Sequence, residues 1–541
     1  MLAVFWSGLL SAQSSLTVPV EDPAYFHLRN LITSGLVSSA IAGTRPFTRA
    51  EFARLIHEAN RTLAEQNQNA VCAQAQASLA YLSSRFANAP VSCTADDGRR
   101  VQFRRKLFDW VGIELLNYNA PARRLSDTTI AAEIQPLTAY RDGRTYFQGQ
   151  NVAIETGHAL EIGHAASFYY QGRVLLTHPA NALGLKDRVD FETLRMYVQF
   201  SKWNINLLIG KDSIIWGTGS KGNLILSRNA RPVGSFNTLP LIKLSNRLPV
   251  RLPWLFKSLG RMRYELFVAR LGRDRDDFAR PYFIGKRLNF KPGRTTEFGL
   301  SHAFILGGKN FPVSFTFWDA LAEFFFSRVK QKFIFNIGFD ELQAENNIAN
   351  HFMGVDFLIR LPRLRNTEVF SEVYFDDITF NLQKTFDRNL GYYGGIYIPR
   401  LTSTGQVSVR MEFSHTSTIF YTGSAPLIAG FTYNRRILGS ELGPRANEVF
   451  VETGFRPNLQ TEWSLSVDFQ KRGAERGARE AGAFVDENRL IFGVRLTRQV
   501  RRDLNVTLDL RYQRIQAFAH LKGDNRDTYL AGVSFHFTPT K

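Results

Sequence analysis

The residues best equipped to hold a sugar or an anion cluster in Trp216-Gly-Thr-Gly219-Ser-Lys-Gly-Asn223-Leu-Ile-Leu226-Ser-Arg228-Asn229-Ala-Arg231-Pro232. Asn223 and Asn229 offer donors and acceptors to hydroxyls, and Arg228 and Arg231 offer guanidinium forks to carboxylates. The glycines let such a segment leave a strand at Gly217 and fold toward or into an interior. The same residues have a structural reading, in which Trp216 packs and the glycines shape a turn that narrows a pore. Arg435 and Arg436 follow Tyr433 in a long polar stretch, where they could pair with a polymer's carboxylate or simply charge a solvated loop. Trp216, Asn223, Arg228, Asn229, Arg231, Arg435 and Arg436 are therefore the candidate ligand-binding residues.

Nothing comparable points to catalysis. The sequence lacks a Gly-x-Ser-x-Gly elbow, a His-Glu-x-x-His pair, and Walker or Rossmann glycines in the strand and helix context they require. His158 and His164 fall at even spacing on a strand, where hydrogen bonding in a lumen is expected rather than metal ligation. No catalytic residue, metal or cofactor is expected, and the chain is read as a binding protein rather than an enzyme.

The elements around these residues are strands. From about Lys106 the apolar period is 2: Val506, Leu508, Leu510 and Tyr512 alternate with Asn505, Thr507, Asp509 and Arg511. Trp463, Leu465, Val467 and Phe469 alternate with polar residues, as do Val407, Val409, Met411 and Phe413. One face suits lipid and the other suits water, the pattern of a transmembrane barrel. Tight connections at Arg456-Pro457-Asn458 and Arg498 to Asp503 alternate with the long polar stretches Thr416 to Asn447 and Gly473 to Asn488. At roughly 24 residues per strand with its connection, an antiparallel barrel of about 18 strands is expected. A soluble β-sandwich or propeller would share the alternation, but would not need an aromatic share of 13% beside so many charged wet faces. No apolar run after the first dozen residues approaches the length of a membrane helix.

Before the barrel the period is helical. Asp22-Pro23 opens a helix with Ala24, Leu28, Leu31 and Ile32 on one face and Gly35 at its end. Thr48 and Glu51 have capping-box spacing ahead of the stripe Phe52, Leu55, Ile56, Ala59 and Leu63. Ala75, Leu79, Leu82 and Phe86 mark a third helix. The expected division is a signal-peptide remnant at 1-12, a periplasmic helical domain at 13-100 and the barrel at 101-541. Cys72 and Cys93, the two cysteines, could close one disulfide in an oxidising periplasm.

Net charge is +19. The basic residues form no single patch or helix, so nucleic acid is not expected. The expected polyanion is an acidic glycan or lipopolysaccharide; the expected partners are capsular or other surface polysaccharide, outer-membrane lipids and lipopolysaccharide, with a monomer favoured.

The segment from Ile209 to Pro232 resembles the signature of Wzi-type capsule assembly proteins. Glu412-Phe-Ser-His-Thr416, Gly439-Ser-Glu-Leu-Gly443-Pro444, Pro19-Val-Glu-Asp22 and Gly43-Thr-Arg45-Pro46 are similar to that family as well. Thr218 stands where the family pattern leads us to expect proline. The resemblance implies an outer-membrane barrel with a periplasmic helical bundle, acting as a lectin-like protein that attaches capsular polysaccharide to the cell surface. A passive porin-like channel is the alternative, suggested by the arginine-rich inner face. The Asp22 to Leu63 region also resembles an S-layer homology module.

Overall fold

The computed structural model describes residues 15–65, 73–86 and 103–539, apart from 122, 126–129, 131, 163–165, 180–185, 236–238, 252–253, 274, 312–348, 377–381, 403, 424–426 and 475–484. The expected signal segment, Cys72, Cys93 and His164 lie outside the described residues.

Eighteen strands close into one antiparallel barrel. In chain order they are β1 Phe103–Asn119, β2 Gly149–Ile162, β3 Ala166–Pro179, β4 Arg188–Lys202, β5 Ile205–Lys211 and β6 Leu241–Asn246. Next come β7 Arg261–Arg270, β8 Tyr282–Lys291, β9 Thr296–Leu306, β10 Ala349–Leu361, β11 Thr367–Asp376 and β12 Leu390–Ile398. The last six are β13 Val407–Thr416, β14 Ala446–Asn458, β15 Thr461–Arg472, β16 Glu487–Arg501, β17 Leu504–Gln516 and β18 Arg526–Phe537. Each pairs with its neighbours in sequence, and β1 closes on β18 from Val111↔Phe537 to Asn119↔Tyr529.

The alternation read from sequence sets the two faces. Trp463, Leu465, Val467 and Phe469 point outward and are exposed, as are Met411 and Phe413. Their neighbours Glu412, Asp468 and Asp509 turn inward and are buried. An even-numbered antiparallel barrel with an apolar outer band and a polar interior is the form of outer-membrane proteins. Among the described residues no helix is long and apolar enough to cross a membrane.

Connections sort by end. One end carries tight turns, such as Trp203–Asn204, whose positive φ values of 49° and 66° give the twist a two-residue hairpin needs. The other end carries the long loops, among them 120–148, 212–240 and 417–445.

His158 corrects one expectation. It alternates with the inward Glu155 and Gly157, so it lies on the outer face beside Phe108 and Tyr170 and not in the lumen.

Three helices precede the barrel: α1 Ala24–Thr33, α2 Arg49–Glu65 and α3 Ala73–Phe86. Leu28, Leu31, Phe52, Leu55, Leu79, Leu82 and Phe86 form their shared core. Asp22 Oδ1 accepts the Ala24 N–H at 2.8 Å, and Gly35, at φ +83°, ends α1. Thr48 Oγ1 accepts the Glu51 N–H at 3.2 Å, as the capping box requires. The reciprocal bond is absent, because the Glu51 carboxylate instead binds both arms of Arg54 at 2.7 and 2.8 Å. The helical layer sits at the tight-turn end: Arg29 meets Glu368 near the start of β11, and Arg456 near the end of β14 reaches Asn30.

Candidate functional site

The loop 212–240 does not reach outward. It folds down into the barrel, where Ile215 and Trp216 pair as strand with Arg45 and Thr44 of the N-terminal segment. The Gly217 N–H continues this ladder to Gly43 O at 2.9 Å. Two segments entering from opposite ends therefore meet inside the lumen.

Each is fixed to the wall by inward carboxylates. Glu372 of β11 accepts the N–H groups of Thr218 at 3.0 Å, Gly219 at 3.2 Å and Leu224 at 2.9 Å. A proline at 218 could not donate the first of these bonds, so the departure from the family pattern adds a contact. Gly217 is required twice: its φ is +124°, and a Cβ there would stand 2.2 Å from Glu372 Oε1. Lys221 forms ion pairs with Glu448 of β14 and Asp468 of β15, and its N–H donates to Glu412 of β13 at 3.3 Å. Trp216 Nε1 donates to Glu265 of β7 at 2.7 Å. From the other side, Glu297 of β9 accepts the Ala42 and Gly43 N–H groups at 2.9 and 2.7 Å. Arg195 of β4 binds Glu21 at 2.6 Å.

Above the ladder three loops interlock. The Ser227 N–H donates to Leu438 O at 2.9 Å, Tyr421 Oη donates to Leu224 O at 2.5 Å, and the Glu133 N–H donates to Arg435 O at 2.6 Å. A Cβ on Gly439 would stand 1.9 Å from Leu224 O, which explains glycine at that position. Beneath them Trp216, Leu224 and Leu226 join Phe267, Phe283, Phe352, Tyr374 and Phe431 in an apolar core inside the barrel. The lumen is packed there like the interior of a soluble domain.

One sector stays open. A cavity of about 750 Å³ lies between this filling and strands β14 to β18 and β1. It reaches the tight-turn end beside α1 and the Asn458–Thr461 turn, and Tyr140, Arg141 and Tyr146 roof it toward the loops.

The seven candidate residues separate into groups. Trp216, Asn223, Asn229 and Arg436 are buried within the filling. Asn229 Nδ2 donates to Ile437 O at 2.9 Å, and Arg436 donates to Gln135 Oε1 at 2.5 Å. Arg228 pairs with Asp142 at 3.0 Å and lines the cavity, and Arg231 pairs with Glu192 at 2.8 Å. Arg435 is the exposed member, its side chain 49% accessible beside Glu133 at 3.6 Å. Sequence reasoning missed the carboxylates that seat the two segments: Glu265, Glu372 and Glu448 for the loop, and Glu297 for the N-terminal segment. Their signal is an acidic residue on the wet face of an alternating strand, which reads the same whether it faces water or a loop.

The family model described as capsule assembly protein Wzi matches residues 124–530, about three quarters of the chain. The chain belongs to the Wzi capsule assembly family. Among solved structures this family member is similar to Wzi of Escherichia coli, an outer-membrane protein involved in group 1 capsule assembly and a carbohydrate-binding β-barrel. The two are 16% identical, with a TM-score of 0.64, and the match covers 98% of this chain and all of that one. OprD of Pseudomonas aeruginosa is also similar, at 10% identity and a TM-score of 0.40, over 80% of this chain and 95% of that one. OccAB4 of Acinetobacter baumannii is 9% identical with a TM-score of 0.40, over 80% of this chain and 97% of that one. No curated protein sequence matches.

Proposed function

We propose that this chain is a closed outer-membrane lectin that holds capsular or other surface polysaccharide on its loop cap, with the helical layer in the periplasm. The observation that carries the reading is the filled lumen: the inward loop and the N-terminal segment meet across it, leaving the interlocked loops as the surface offered outward. Tight turns face the periplasm in barrels of this kind, which orients the cap toward the outside. Membership of the capsule assembly family supports the ligand class. The role is binding without catalysis, by a monomer that also contacts outer-membrane lipids and lipopolysaccharide. Arg435 is the outward candidate for a polymer carboxylate, and Arg231, partly exposed while paired with Glu192, is the second. The channel alternative gains no support from an interior packed around Trp216.

The test is binding of the detergent-folded full chain to the host's own capsular polysaccharide, with salt varied. Saturable binding that weakens with salt, and weakens further in Arg435→Gln, is expected for an acidic polymer. Absence of binding together with steady ion conductance in planar bilayers would replace this reading with the channel.

A further inference from the structure

The tight-turn end of the barrel is strongly cationic. Outside the strands, the described connections at the tight-turn end, the longer 247–260 segment with its exposed Lys257 included, carry eight Lys and Arg against a single carboxylate, Asp503. The described parts of the long loops at the other end mix the two signs and pair them, as Arg144 does with Asp142 and Arg275 with Asp277. Strand ends bordering the turns add Lys202, Lys291, Arg456, Arg498 and Arg501 to the same rim.

Most of these groups are exposed and serve nothing inside the protein. Lys202, Arg251, Arg294, Arg363, Arg498 and Arg502 are exposed, and none has an ion pair with a described residue. The carboxylates at this level behave differently. Glu161, Glu297, Glu368 and Glu462 turn inward and pair with Arg49, Lys291, Arg360 and Arg456. The rim thus neutralises its interior and leaves its outside cationic.

Beside the cations stand apolar tips. Trp203 is 62% exposed with the Lys202 ammonium 4.3 Å from its ring centroid, and Leu364, between Arg363 and Arg365, is 60% exposed. Val500 lies next to Arg501 in the same way. Just above them the outward face is apolar again at Phe200, Ile359 and Phe537. A cation beside an apolar tip at the edge of a lipid-facing band places its charge at headgroup depth.

We propose that the tight-turn rim is a collar that binds the phosphate headgroups of anionic glycerophospholipids in the adjoining leaflet. The cations recur around the perimeter, at Lys202 beside the β4–β5 turn and in the β6–β7, β8–β9, β10–β11, β12–β13 and β16–β17 connections. A ring in the plane of the membrane matches an annulus of headgroups, whereas a linear acidic polymer would need one contiguous track. The proposal rests on the orientation above only for which leaflet is named.

The test uses Trp203 as its reporter. The refolded full chain is placed in symmetric vesicles containing brominated phosphatidylglycerol or brominated phosphatidylcholine, and quenching at Trp203 is taken as the difference from Trp203→Phe. The β4–β5 and β6–β7 turns touch, Asn204 Nδ2 donating to Leu248 O at 3.0 Å, so the neutralised variant is Lys202→Gln, Arg251→Gln and Lys257→Gln together. Phosphatidylglycerol is expected to be enriched about fivefold around Trp203, and the triple variant should return it to bulk composition while Arg435→Gln leaves it unchanged. Heat-modifiable gel mobility verifies that each barrel is folded. Equal quenching by both lipids, or enrichment that survives the triple variant, overturns the collar. So does rim binding of soluble dextran sulfate in detergent alongside lipid-indifferent quenching. Both ends meet the same lipid in symmetric vesicles, so an inverted orientation or a failed polysaccharide assay leaves this result intact.

Discussion

Replacing Glu372 with alanine removes the acceptor of three backbone N–H groups, those of Thr218, Gly219 and Leu224, at 3.0, 3.2 and 2.9 Å. Each backbone donor left buried without a partner costs about 1–3 kcal/mol. The three bonds share one carboxylate and are coupled, so they do not add in full; we take about 3–5 kcal/mol for seating the loop. That changes the ratio of displaced to seated loop by roughly two to three and a half orders of magnitude. The cavity of about 750 Å³ already reaches the tight-turn end, so a displaced loop connects it to the loop end. Single-channel recording in planar bilayers should find the unsubstituted barrel silent and Glu372→Ala flickering between closed and conducting levels. Glu372→Gln keeps one acceptor oxygen for Thr218 and Gly219 and should lie between them. If Glu372→Ala proves as silent as the parent while its heat-modifiable mobility shows a folded barrel, the carboxylate does not hold the loop and the reasoning fails.

Trp216→Phe removes the Nε1 donor to Glu265 while keeping most of the ring, and should destabilise the protein by about 1–3 kcal/mol, read as a lower denaturant midpoint. Burial, reinforced by the nearby Arg456 and Arg85 guanidinium groups and opposed by a smaller effect of Asp22, pushes the His27 imidazole down to about 3. The folded state therefore favours neutral His27, and its contribution is present above about pH 6.5 and falls on acidification by about 1.4 kcal/mol per pH unit. Chemical denaturation of the helical layer between pH 7 and 4 should show that slope, and His27→Gln should flatten it. For Asp22, burial raises the carboxyl but the Arg85 guanidinium, 2.5 Å away, more than offsets it, leaving the group below its ordinary value. Its stabilisation is present above about pH 4 and is lost as pH falls below that. Asp22→Asn should loosen α3 by about 2–3 kcal/mol at pH 7, seen as faster tryptic cleavage at Arg85.

The barrel was legible because each strand repeats a two-residue alternation that lipid on one side and water on the other enforce. Val506 to Tyr512 and Trp463 to Phe469 need no tertiary information to be assigned, and the count of about 18 follows from strand length. The inward course of Trp216 to Pro232 was half legible: its glycines announce a close approach without naming the partner. Glu372, Glu265 and Glu448 were illegible because sequence shows which face a side chain takes, not what fills the space before it. The buried fates of Asn223, Asn229 and Arg436 follow from the same gap, since amides and guanidinium groups that satisfy neighbouring backbone look like groups awaiting a sugar. His158 was misplaced because parity within a strand was read without its partner strands.

The short ladder between Thr44–Arg45 and Ile215–Trp216 has a mechanical consequence. A polymer tethered at the cap would pull the inward loop along the barrel axis, loading these hydrogen bonds and the Glu372 and Lys221 anchors together. The ladder hands part of that tension to the helical layer, while the anchors spread the remainder over β11, β13, β14 and β15. Drag on the surface coat would then be borne by the cell envelope as a whole, with the barrel serving as a rivet whose shank is its own filled interior.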